Sequence, residues 1–134
     1  MRHTTASALF ILMFFAFAPQ PNASETPSPK LIAVKHHGDW CGSCKKMGSV
    51  FTDLRNKFDG QPVLFVTLDL TNVSTRNQSE LLASALGLKS VYNQNSGTGF
   101  ILLIDPTTHK VIKKLTADQD LKMMAKEITA QIKS

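Results

Sequence analysis

Apolar positions along this chain fall into two alternating patterns. Solid runs at 31–34 (Leu-Ile-Ala-Val), 63–70 (Val-Leu-Phe-Val-Thr-Leu-Asp-Leu) and 100–104 (Phe-Ile-Leu-Leu-Ile) have the length and β-branching of buried strands. Between the first two, Met47, Val50, Phe51, Leu54 and Phe58 recur at helical spacing. Lys45, Lys46, Asp53, Arg55 and Lys57 take the opposite side, which predicts an amphipathic helix over 44–58. Gly60-Gln61-Pro62 ends it. After a polar connection at 72–75, residues 78–86 predict a second helix, with Leu81, Leu82 and Ala85 inward and Gly87 as the stop. Residues 88–99 read as a polar loop carrying Tyr92, Asn93, Asn95, Gly97 and Gly99. A turn at 105–110 joins the third strand to a fourth at 111–115, and that pair reads as a hairpin. Thr116 with Gln119 suggests a capping box. The last helix, 118–132, gathers Leu121, Met124, Ala125, Ile128 and Ile132 on one face.

The order is therefore β-α-β-α-β-β-α. Alternating units favour parallel pairing at the start, and the terminal hairpin adds antiparallel strands. This predicts an α/β fold: a mixed four-stranded sheet with helices on both faces, a three-layer α/β/α sandwich.

The pattern changes at the N-terminus. Arg2 and His3 precede an apolar stretch over 8–18, and small residues follow, with Ala18, Ala23 and Ser24 as cleavage points. Residues 1–23 read as an export signal, whose apolar stretch is shorter than the ~20 residues a membrane span needs. No cysteine lies near the cleavage region, which excludes a lipid-anchored lipoprotein. Residues 24–29 read as a linker, and 30–134 as the domain. The expected location is periplasmic or secreted, with no membrane span in the mature chain. With 134 residues there is room for one such domain, and 43% hydrophobic residues suffice for its core. The net charge is +5, but the lysines are scattered and form no basic stripe, so nucleic acid is not an expected partner.

Candidate chemistry is concentrated in Trp40-Cys41-Gly42-Ser43-Cys44-Lys45, which holds both cysteines of the chain. A C-x-x-C pair closes a very small loop, so as a staple it would remove little unfolded-state entropy. As a dithiol at a helix start it suits disulfide exchange. Cys41, just ahead of the helix, is the expected nucleophile, accessible and acidified by free backbone N–H groups. Cys44, one turn inside, is expected to be buried and to resolve the mixed disulfide. Gly42 keeps the approach open. Ser43 either donates toward a sulfur anion or simply starts the helix. Trp40 shields the pair or packs as an ordinary aromatic, and Lys45 adds positive potential or is merely solvated. His36 and His37, in the predicted loop ahead of the motif, read either as a packed and an exposed ring or, for His37, as a proton acceptor or metal ligand. Two other functions fit the same residues: a copper or other metal carrier using both cysteines and a histidine, and a non-catalytic binding module. Zinc would want four ligands, and there is no second cysteine pair.

The hexapeptide, its place between the first strand and first helix, and the element order together resemble the thioredoxin superfamily from Lys30 to the C-terminus. The resemblance implies a thiol-disulfide oxidoreductase, monomeric and without a bound cofactor or metal, acting on protein thiols and disulfides with a second dithiol protein as electron partner. Four places depart from the family. Ser43 replaces the proline of the thioredoxin motif. The family's cis-proline falls at Thr98-Gly99, an expected trans bond that still edges the substrate site. Its buried carboxylate, six residues before the first cysteine, is Lys35, and the proline that kinks its first helix falls near Ser49.

Overall fold

A computed structural model describes residues 28–134. The expected signal at 1–23 and most of the linker lie outside the described residues. Strand β1 (Leu31–His37) pairs parallel with β2 (Val63–Asp69) and antiparallel with β3 (Phe100–Ile104), and β3 pairs antiparallel with β4 (Val111–Thr116). The sheet order is β2-β1-β3-β4. Mixed pairing and the terminal hairpin are therefore as expected.

Strand alternation sends side chains into two cores. Leu31, Ala33, Ile101 and Leu103 point to one face, where they meet Met47, Phe51, Leu54, Met124 and Ile128. Ile32, Val34, Leu102 and Ile104 point to the other, with Val66, Leu68, Ala83, Leu88 and Val91. Each of the larger side chains, fully buried, contributes roughly 1.5–3 kcal/mol. These are the three layers of the expected α/β/α sandwich. β1 and β3 are central and carry both cores. β2, expected as a buried strand, is instead an edge strand, and Leu64 is 36% exposed.

Four further expectations are corrected. β1 does not stop at Val34: His36 is wholly buried and stacks on Phe100 at 4.7 Å, which carries the strand through His37. The single helix over 44–58 is two, α1 (Gly42–Met47) and α2 (Val50–Lys57). Gly48 separates them at φ +51, a left-handed conformation that side chains with a Cβ resist, and its N–H closes α1 onto the Cys44 and Lys45 carbonyls. The next helix, α3 (Val73–Ala85), starts within the supposed connection, because Asn72 Oδ1 accepts from the Thr75 N–H at 3.1 Å while Thr75 Oγ1 accepts from the Asn72 N–H. Its inward residues are Ser79 and Ala83, and Leu81 and Leu82 are 72% and 42% exposed. Ser79 fixes that phase: its hydroxyl donates to the Asp69 carbonyl at 2.9 Å and accepts the Asp69 N–H at 2.7 Å, tying α3 to the end of β2. Finally, the polar loop contains a short helix, α4 (Lys89–Gln94), anchored by buried Leu88 and Val91.

The last helix, α5 (Leu121–Lys133), buries Met124, Ala125 and Ile128 as expected. Gln119 Oε1 does accept the Thr116 N–H, at 2.9 Å, but Asp120 is the cap, accepting from Met123 N–H at 2.7 Å. No helix among the described residues is long and apolar enough to cross a membrane.

Candidate functional site

The cysteines sit where β1 hands the chain to α1. Cys41 is the N-cap of α1, in extended conformation, with its amide held by the Gly38 carbonyl at 3.0 Å. Its sulfur does what a cap side chain does: Sγ accepts the Cys44 N–H at 3.3 Å. The Cys44 thiol points inward and donates to the His36 carbonyl at 3.7 Å. The same carbonyl accepts the Gly99 N–H at 2.8 Å, so the end of β1 joins the dithiol to the segment ahead of β3.

The two thiols are both free and shift in opposite directions. Burial alone would raise the Cys41 pKa. The Thr98 side chain, the Cys44 thiol and the Cys44 and Ser43 N–H groups outweigh it by favouring the thiolate, and the net shift is downward. Burial pushes the Cys44 thiol up, and the neighbouring Cys41 sulfur adds to that, against the Gly38 backbone and the Lys35 charge. Exposure separates them less than expected. Cys41 is 8% exposed and Cys44 is 5% exposed, so Cys41 is buried rather than accessible. The overhang comes from Gly99, where an added Cβ would lie 3.0 Å from Cys41 Sγ and 2.4 Å from Ser43 Cβ. Gly99 has φ +83, and the peptide bonds of the described residues, Thr98-Gly99 among them, are trans. A glycine with left-handed backbone thus occupies the edge over the dithiol.

The other motif residues take simple positions. Trp40 is 61% exposed, and its indole Nε1 donates to the Thr71 carbonyl at 3.2 Å, which ties the ring to the segment after β2 while its edge lies over Gly38. A Cβ on Gly42 would meet nothing within 4 Å, so that side of Cys41 is open. Ser43 and Lys45 are exposed on α1. Among the described residues Ser43 makes no side-chain hydrogen bond, so its part here is that of a helix-start residue. His37 is not brought to the sulfurs: Nε2 lies 2.9 Å from Asp39 Oδ1. The turn histidine, His109, packs against Gly87. Among the described residues no group of three His, Cys, Asp or Glu side chains converges as a ligand set.

Sequence reasoning missed two backbone contributors, and it did not show how Lys35 bears on the pair. Lys35 is half-buried with its ammonium 5.6 Å from the Phe51 ring centre, and it bears on Cys44 as a positive charge. The His36 and Thr71 carbonyls act through the backbone, which no side-chain pattern encodes.

Known proteins are similar to this chain. A family model described as Thioredoxin matches residues 22–84. Thioredoxin from Ictalurus punctatus is 33% identical over 39% of this chain and 49% of its own length. Thioredoxin-like protein 1 from Schizosaccharomyces pombe is 32% identical over 51% of this chain and 21% of its own length. The match thus spans about half, or less, of these relatives. Among solved structures, the reduced thioredoxin pre-protein of Schistosoma mansoni superposes with a TM-score of 0.51 at 20% identity, covering 79% of this chain and 83% of that one, which is a likeness of fold.

Proposed function

We propose that this chain, which belongs to the thioredoxin superfamily, is a thiol-disulfide oxidoreductase whose working groups are Cys41 and Cys44. The observation that carries the reading is the asymmetry of the pair: one sulfur caps α1 and is favoured as thiolate, the other is a buried thiol held as its neutral form. Disulfide exchange needs that division. The Cys41 thiolate attacks one sulfur of a partner disulfide, the S–S bond of the partner breaks, and its other sulfur leaves as a thiolate that takes a proton from water. A mixed disulfide now joins Cys41 to the partner. Cys44 gives up its proton and attacks Cys41 Sγ, which breaks the mixed disulfide, releases the partner's second thiol and leaves Cys41–Cys44 oxidised. Two electrons have passed to the partner. The reverse sequence oxidises a dithiol. Protein thiols and disulfides are the proposed substrates, a second dithiol protein the proposed electron partner, and a monomer the proposed working form.

Thiol trapping across glutathione and dithiothreitol buffers tests this. A reversible two-electron transition between about −270 and −120 mV is expected. A pair that stays oxidised below about −300 mV is a structural bridge and overturns the reading. The metal-carrier reading lacks a third converging ligand among the described residues.

We also propose export through residues 1–23. The intact mass of protein recovered outside the cytosol is expected to correspond to a chain begun after Ala18, Ala23 or Ser24. Full-length chain held in the cytosol overturns that.

A further inference from the structure

Against Trp40, the residue that precedes Cys41, lies a cleft of about 280 Å³, lined also by Leu70, Arg76, Tyr92, Asn93 and Ser96. Three parts of the fold build it: the loop ahead of α1, the β2–α3 passage with the first turns of α3, and α4 with the residues after it. The polar loop expected from sequence thus becomes a wall. Hydrogen bonds hold its shape. Trp40 is fixed on Thr71, the Tyr92 hydroxyl donates to the Arg76 carbonyl at 3.3 Å, and the Arg76 guanidinium donates to the Leu70 carbonyl at 3.3 Å.

The charges around this cleft are uneven. Asp39 and Asp69 adjoin lining residues in sequence, the charge of Glu80 reaches Tyr92, and all three have partners. Asp39 lies 2.9 Å from the His37 ring, Asp69 Oδ1 accepts the Thr71 N–H at 2.8 Å, and Glu80 pairs with Lys89 at 3.4 Å. Among the described residues Arg76 has no carboxylate partner, and its guanidinium meets only a main-chain carbonyl. An arginine presents five donors in a planar fork suited to a carboxylate. The cleft therefore offers two aromatic surfaces, Trp40 and Tyr92, and one cation that is free to pair, next to the residue preceding the nucleophile.

We infer that this cleft is a recognition subsite for the partner polypeptide, in which Arg76 takes an acidic side chain flanking the reacting sulfur while an apolar neighbour lies on Trp40 and Tyr92. The inference rests on the oxidoreductase reading proposed above. It makes Arg76 a specificity-determining residue, and it directs the enzyme to cysteines in acidic surroundings.

The test uses two short peptide disulfides, identical except for Glu or Lys beside the cysteine, with the full reduced chain. The Glu peptide is expected to exchange about two- to fivefold faster in kcat/KM at low salt, the size of a partly exposed ion pair. Added salt should shrink the preference, and Arg76→Glu should invert it. Equal rates in the parent chain, or an unchanged preference in Arg76→Glu, overturn the inference and leave the oxidoreductase reading standing. If neither peptide exchanges, the oxidoreductase reading falls instead. Serine analogues of the peptides then decide the cleft through the fluorescence of Trp40, the one tryptophan of the chain. A response to the Glu analogue alone, lost in Arg76→Glu, supports the subsite. An equal response to both, or to neither, overturns it.

Discussion

At the scale of residues, the reactivity of Cys41 depends on donors aimed at one sulfur, and Thr98 is the donor that comes from outside the helix. Thr98→Val keeps the shape and removes the hydroxyl. A hydrogen bond of this kind contributes about 0.5–1.5 kcal/mol. The Cys41 titration should therefore move up, and iodoacetamide labelling near neutral pH should slow several-fold, read as a rate-against-pH series on reduced protein. An unchanged inflection would remove Thr98 from the site. The motif was legible in sequence because its chemistry is carried by adjacent residues. The resemblance put Gly99 at the edge of the site, but how closely it covers Cys41 was not legible, because that depends on how the segment ahead of β3 packs on α1. The charge at Lys35 was legible as a departure from the family, yet its bearing on Cys44 depends on how β1 and α1 pack.

Elements show a different limit. Helix α3 was placed too late and turned the wrong way, since Leu81 and Leu82 read as core while the sheet receives Ser79 and Ala83. A serine can face inward when both of its hydrogen-bond roles are met, and here the main chain of Asp69 meets both. The signal that could have found the start is Asn-Val-Ser-Thr, with Asn72 three residues before Thr75. Asn72→Ala removes the acceptor of that cap and should cost about 1 kcal/mol of stability, measured by urea unfolding. The cost matters for function too, because the first turns of α3 carry Arg76 into the cleft. The break between α1 and α2 has the same lesson: Gly48-Ser49 sits inside a good helical period, and periodicity alone cannot separate one helix from two that bury the same face.

Across the whole molecule, the sheet and both cores were legible from solid apolar runs, because a strand buried on both faces has few ways to look polar. His36 is the exception, a titratable ring in the second core, 0% exposed, with neither ring nitrogen hydrogen-bonded. Burial, with a smaller push from the Lys114 charge, lowers its pKa from 6.5 to about 4, against the nearby Gly97 and Asn95 backbone. The unfolded chain therefore binds a proton at this residue that the folded chain refuses. Stability should be full above pH 6.5, fall as the pH drops toward 4, and level off below that. A shift of that size corresponds to about 3 kcal/mol. Urea midpoints between pH 7 and pH 4.5 should record it, and His36→Phe should flatten the dependence over that window. A parent chain with no such slope would mean that the ring finds a partner when charged.

The carbonyl of His36 receives both the Gly99 amide and the Cys44 thiol. Forming the disulfide takes the hydrogen from Cys44, so one of the two donors vanishes while the backbone pairing of β1 stays. A carbonyl stretch rises in frequency when a donor is withdrawn. An isotope-labelled carbonyl at this single position would therefore report in the infrared whether the pair is oxidised, with no probe attached to either sulfur, and the central strand itself becomes the vibrational gauge of the electron state beside it.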